Sequence, residues 1–123
     1  MTVAVVVGVA GALGAVARYL LDGAVQGRTR ATFPFGTLMV NVAGSFILGV
    51  LTGLALYHGL TPAPKAMIGA GFCGGFTTWS TASWETVRLA EDGAVGAALC
   101  NGLGGLLASV AAAAAGIALM AAL

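Results

Sequence analysis

Four stretches of the chain are apolar for long enough to cross a hydrocarbon layer, and short polar segments separate them. They run from about Val3 to Leu21, Phe35 to Tyr57, Lys65 to Leu89 and Ala94 to Leu123. A bilayer core takes roughly 20 residues of α-helix to span. The pattern therefore predicts an all-α membrane protein, a single four-helix transmembrane domain over residues 1–123 with no second domain and no internal repeat. The segment from Asp22 to Pro34 carries Arg28, Arg30, Gly23 and Gly27 and reads as a polar loop outside the membrane, closed by a proline that opens the next helix. His58, Pro62 and Pro64 mark a short connection in which His58 is expected to be solvated.

Small residues indicate where the helices meet. Gly8, Gly11 and Gly14 clear one face of the first helix, and Gly49 and Gly53 form a small-xxx-small pair in the second. The third helix is of another kind, because its middle reads G-F-C-G-G-F-T-T-W-S-T-A-S from Gly71 to Ser83. Adjacent glycines followed by two threonines weaken the backbone ladder, and a break in hydrocarbon survives only where protein or a water-filled cavity satisfies the freed carbonyls. This helix is expected to be broken in mid-membrane, and a broken membrane helix marks a candidate site.

Composition removes the soluble classes. Hydrophobic residues make up 59% of the chain and charged residues 7%, with a mean hydropathy of +1.02, whereas soluble domains carry about 25% charged residues. A net charge of +1 gives no electrostatic footprint for nucleic acid. No nucleophile with its base, metal cluster or phosphate loop supports an enzyme. No positive charge precedes the first apolar run and Arg18 follows it, so it reads as a retained helix and not a secretory signal. Cys73 and Cys100 sit in apolar segments and are expected to be small buried hydrophobes. Arg18 and Asp22, at i and i+4, are expected to pair at the end of the first helix.

The candidate chemistry lies in a few polar residues inside the spans. Asn41 must face protein, water or a ligand, because an unpaired buried amide costs about 1 to 3 kcal/mol. An interhelical hydrogen bond is one reading and ligand contact the other. In the third helix Trp79, Ala82 and Ser83 share a face at i, i+3 and i+4, Ser80 and Thr81 add hydroxyls, and Glu85 follows, making a polar track along an apolar helix. The competing reading bonds the hydroxyls back to their own helix carbonyls and pairs Glu85 with Arg88.

Three motifs carry a resemblance. G-x-x-G-A-x-x-R-Y at Gly11 to Tyr19, F-P-x-G-T-L-x-V-N-x-x-G-S-F at Phe33 to Phe46 and G-F-C-G-G-F-T-T-W-S-T at Gly71 to Thr81 resemble the Fluc (CrcB) fluoride channels, in order through the first three helices. The fourth helix is similar only in its small residues. The resemblance implies an antiparallel dimer of four-helix subunits with two fluoride pores, in the cell membrane of a bacterium. It implies passive export of fluoride from the cytoplasm to relieve fluoride toxicity, and a structural Na+ on the axis between subunits. By that carry-over the Na+ is held by the backbone carbonyls of Gly74 and Thr77, Asn41 is a pore-lining amide, and Trp79, Ser80, Thr81, Ser83 and Glu85 line the fluoride path. The chemistry agrees: carbonyls freed at a helix break suit a hard cation, and uncharged N–H, O–H and ring-edge donors can replace the water of fluoride without trapping it.

The chain departs from the family where two phenylalanines are expected three residues apart, since Trp79 and Ala82 occupy those positions, and Ala97 and Asn101 stand where a tyrosine and a serine are expected in the fourth helix. Arg28, Arg30 and Arg88 fall on one side of a four-span topology and Lys65 on the other, which favours termini outside. The second subunit is accordingly either an identical chain or an oppositely oriented homologue. The rival functions are a small dimeric multidrug transporter, for which Glu85 is the only membrane carboxylate available, and a non-conducting partner subunit of a heterodimeric fluoride channel.

Overall fold

A computed structural model describes residues 2–123; Met1, counted in the expected domain, lies outside the described residues. Helix α1 spans Thr2–Thr29 and α2 spans Phe35–Tyr57. Helix α3 covers residues 62–76, joining Pro62–Lys65, a run of wide i→i+5 turns over Ala66–Cys73, and Gly74–Phe76. Helix α4 is Trp79–Glu91, and α5 runs over Val95–Ala122 with a second set of wide turns at Cys100–Gly104. Three of these, α1, α2 and α5, are each long and apolar enough to cross a membrane unbroken.

The expected third span is divided, and the division falls beyond the glycines. Gly74 and Gly75 are helical, while Thr77 (φ −78°, ψ 157°) and Thr78 (φ −147°, ψ 115°) are extended. The span also begins earlier than Lys65, at Pro62. Proline tolerates the first helical position because its missing N–H has no intrahelical acceptor there.

The loop expected from Asp22 to Pro34 is mostly helix. Charge and glycine signal departure from the membrane, and α1 leaves it without unwinding, continuing to Thr29. What stops it is Arg30, at φ 49°, in the left-handed region. Gln26 then closes the reversal: its Nε2 donates to the carbonyls of Ala31 (2.6 Å) and Phe33 (3.2 Å), and its Oε1 accepts from the Gly36 N–H (3.3 Å). The turn from α4 into α5 is built on Gly93 (φ +79°), with Ala94 N–H donating to the Leu89 carbonyl at 2.8 Å and Gly93 N–H to that of Ala90 at 3.0 Å. This paired closure favours glycine at its left-handed position.

Close backbone approach holds the bundle together. A Cβ at Gly14 would run into the Phe72 carbonyl, and one at Gly75 into the Gly11 carbonyl, so α1 and α3 meet without side chains between them. In the same way Gly49 of α2 abuts the Ala113 backbone, and Gly116 of α5 abuts the Phe46 carbonyl and the Val50 N–H. Gly8, expected on the packing face of α1, meets nothing within 4 Å. The outward faces of α1 and α5 present Val5, Leu13, Leu20, Leu107 and Val110, all more than half exposed in the single chain. Such a surface suits hydrocarbon.

Candidate functional site

The break in the third span is held open by one side chain of α2. Asn41 Nδ2 donates to the Thr78 carbonyl at 2.9 Å, and the Thr78 N–H donates to Asn41 Oδ1 at 2.7 Å. In an uninterrupted helix that N–H would serve the Gly74 carbonyl four residues back. Asn41 therefore takes the donor, and Gly74 loses its α-helical partner. Thr78 also starts α4, its Oγ1 accepting from the Thr81 N–H at 3.1 Å as an N-cap. Gly44 makes room for the break, since a Cβ there would strike the Thr77 methyl.

Beside the break lies a groove of about 730 Å³ between α2, α4 and α5. Asn41, Trp79 and Ser83 line it, as do Ala82, Ser45, Thr86, Asn101 and Ser109. The face expected for Trp79, Ala82 and Ser83 is thus one continuous wall, extended to Thr86 at i+7 from Trp79. Trp79 is 74% exposed and sits at the rim of the single chain. Lys, Arg, Asp and Glu are absent from the lining.

The other predicted positions point elsewhere. Thr81 lines a small polar pocket of about 160 Å³ with Arg18, Tyr19, Asp22, Thr37 and Thr78. Ser80 is exposed, its Oγ 3.5 Å from Thr78 Oγ1. Glu85 turns to α2, where Thr37 Oγ1 donates to its Oε1 at 2.9 Å, and its buried Oε2 has no hydrogen-bond partner among the described residues. The expected track along α4 is therefore split over two faces, with Thr37 and Thr78 bordering both cavities. Thr37→Val should destabilise the protein by about 1 to 2 kcal/mol by stripping Glu85 of that hydrogen bond. Thermal unfolding in detergent reads the loss, and an unshifted transition would show that Glu85 does not depend on Thr37.

Several local expectations change. Glu85 does not pair with Arg88, whose guanidinium lies 5.8 Å from the Trp84 ring centre instead. Arg18 and Asp22 border the same pocket, yet no ion pair joins charged side chains among the described residues. Cys73 is fully buried, whereas Cys100 is exposed in the single chain because it lies on the outer side of the wide turns of α5. His58 is exposed as expected, with Nε2 2.7 Å from the Met120 carbonyl. Among the hydroxyls, Thr77 and Thr86 bond back to the carbonyls four residues earlier, at 2.9 and 2.8 Å. Ser45, Ser83 and Ser109 make no hydrogen bond among the described residues and stay available to the groove.

Thr37, Thr78 and Thr86 carried no site role in the sequence. A signal for the first was present: Thr37, Asn41 and Ser45 recur at i, i+4 and i+8 and form a polar stripe on one face of α2. For Thr86 the signal was its spacing from Trp79 and Ser83 on α4.

Comparison with known proteins adds the remaining finding. The family model of CrcB-like proteins, described as camphor resistance (CrcB), matches residues 5–117. A protein of Leifsonia xyli named fluoride-specific ion channel FluC 1 is 50% identical over 115 residues, 94% of this chain and 84% of its own. Haloarcula marismortui has a fluoride-specific ion channel FluC 2 that is 51% identical over 100 residues, 81% of this chain and 78% of its own. The fluoride-specific ion channel FluC of Geobacter sulfurreducens is 46% identical over 112 residues, covering 90% and 87%.

Proposed function

The chain belongs to the CrcB-like family, and from that premise we propose that it is a subunit of a passive, fluoride-selective channel that lets fluoride leave the cytoplasm and relieves its toxicity. It is a multi-pass protein of the cell membrane and its family is a channel family, not an enzyme family. The observation that carries the proposal is the 50% identity, over 94% of the chain, to a protein named a fluoride-specific channel.

The groove's chemistry supports the reading. Fluoride is small and strongly hydrated, so a path for it must offer donors in place of water and hold it weakly enough for release. The hydroxyls of Ser45 and Ser83 are free to donate, Asn41 keeps one N–H beyond the one given to Thr78, and Trp79 offers an indole N–H and a ring edge. No fixed cation lines the groove to trap the anion. We assign Ser80, Thr81 and Glu85 to a continuation of the path on the second face of α4, which Thr37 and Thr78 connect to the groove by bordering both cavities.

The groove is open along its side, and Trp79 stands at its rim, so a second subunit is needed to close it; we assign that subunit to an antiparallel copy or an oppositely oriented homologue. We assign a structural Na+ to the break between α3 and α4. Among the described residues no group of three His, Cys, Asp or Glu side chains can hold a metal, and the break offers backbone carbonyl oxygens in their place. Gly74, whose carbonyl gives up its α-helical donor to Asn41, is exposed, and space beside it is open. With the Thr77 carbonyl next to the extended turn, it would supply neutral hard oxygens to the ion. The ion would lock the break and the subunit contact.

Fluoride efflux from liposomes holding the purified chain, read with a fluoride electrode against chloride as control anion, tests the proposal. Fast fluoride-selective efflux is expected. Absence of fluoride flux from the chain, alone or with an oppositely oriented homologue, would overturn it.

A further inference from the structure

The groove is not equally braced on its two sides, and the second brace comes from a residue of α5 that has no assigned role. Asn101 is only 5% exposed in the single chain. Its Nδ2 donates to Thr86 Oγ1 at 2.9 Å and to the Ala82 carbonyl at 3.2 Å, while Thr86 Oγ1 donates to that same carbonyl at 2.8 Å. Asn101 lies in the wide turns of Cys100–Gly104. Its neighbour Gly102 brings α5 so near α4 that a Cβ would stand 3.3 Å from the Thr86 methyl.

Two asparagines from two helices therefore grip one short helix at two levels. Asn41 of α2 holds the Thr78 backbone at the start of α4, and Asn101 of α5 holds Ala82 and Thr86 one and two turns later. Trp79 and Ser83 lie between these grips and face the groove. Thr37 of α2 also reaches Glu85 on the second face of α4, while on the groove face the hydrogen bonds that hold the helix are those of Asn41 and Asn101. A rotation of α4 would swing Trp79 and Ser83 off the groove, and the Asn101 grip opposes it on that face.

We propose that Asn101 is a positioning residue that sets the rotation of α4 and with it the direction of Trp79 and Ser83 into the groove. The role rests on the channel reading only for its effect on fluoride; the positioning of α4 stands by itself. Wide turns of the π type recur at functional positions, and here they present the amide that makes the contact. Ordinary interhelical glue would raise stability and do nothing else.

The chain's two tryptophans, Trp79 and Trp84, both lie on α4, so fluorescence excited selectively at tryptophan, apart from Tyr19 and Tyr57, reports that helix alone. In Asn101→Ala, tryptophan emission and acrylamide quenching measured without fluoride should both depart from the wild type. In liposomes, fluoride efflux should fall about tenfold, the factor matching roughly 1.4 kcal/mol, and the fluoride-to-chloride ratio should fall with it. Thr86→Val removes the shared hydroxyl but leaves Asn101 in place; it should move the same readouts in the same direction, and it carries the test where Asn101→Ala does not fold. Wild-type emission, quenching and anion ratio in a folded variant, with only the unfolding temperature lowered, would overturn the proposal. A wild type that passes no fluoride, alone or with an oppositely oriented homologue, would overturn the channel reading instead, and the emission shift would still decide the role of Asn101.

Discussion

Gly49→Ala is expected to destabilise the protein by about 3 kcal/mol, the upper end of the usual cost of overpacking, although alanine is the better helix former by about 1 kcal/mol. The new methyl would meet the Ala113 carbonyl, carbon and Cα of α5. A backbone cannot step aside as a side chain can, so α5 would have to move as a whole. That movement would also unseat Gly116 from the Phe46 carbonyl and the Val50 N–H on the other side of the contact. In a membrane, helices associate largely through such close packing, because lipid is as apolar as the side chains it would replace. Gly8→Ala is the matched control: it has open space and should leave stability unchanged or slightly raised. Thermal unfolding in detergent, followed by circular dichroism, compares the two. Equal midpoints for Gly49→Ala and the wild type would mean that α2 and α5 do not meet at Gly49.

The elements of this bundle were legible in the hydropathy pattern because burial in lipid leaves long apolar runs. Gly11, Gly14 and Gly49 were legible as contact residues because only glycine permits backbone-to-backbone approach, and their spacing shows it. Gly8 has the same spacing and no contact, since the sequence does not say how far along α1 the partner helix reaches. The end of α1 was misplaced because charged residues mark an exit from lipid, not an end of helix. Its true stop is a left-handed Arg30 with Gln26 bridging the turn, which no local pattern announces.

At the site, the expectation of a broken helix came from Gly74, Gly75, Thr77 and Thr78. Which of these unwinds depends on Asn41, distant in sequence, and that choice is tertiary. Glu85 likewise bonds Thr37 of α2 and not Arg88 of its own helix, whose guanidinium lies near the Trp84 ring. The wide turns at Cys100–Gly104 and the contact they bring to Ala82 have no sequence signature, since Asn101 reads there as an isolated polar residue.

Asn41→Ala is expected to abolish fluoride flux down to the rate of protein-free liposomes, and to weaken the fold as well. Asn41 answers both polar groups of the Thr78 backbone, which is 8% exposed. Without the amide, each group left unpaired costs about 1 to 3 kcal/mol. The cheapest escape is to restore helix through the break by returning the Thr78 N–H to the Gly74 carbonyl. That escape would remove the N-cap at Thr78, turn Trp79 and Ser83 away from the groove, and occupy the carbonyl proposed for the cation. Asn41→Asp separates the two roles of the side chain. It has the same shape and still accepts from the Thr78 N–H, but its second oxygen meets the Thr78 carbonyl acceptor against acceptor where Asn41 Nδ2 donates. Its carboxylate would also place negative charge in a groove that must admit an anion. Wild type is therefore expected to be more stable than both Asn41→Asp and Asn41→Ala, with neither variant carrying fluoride. Wild-type flux from Asn41→Ala would show that the amide neither holds the break nor faces the ion, because among the described residues no other side chain hydrogen-bonds the Thr78 backbone.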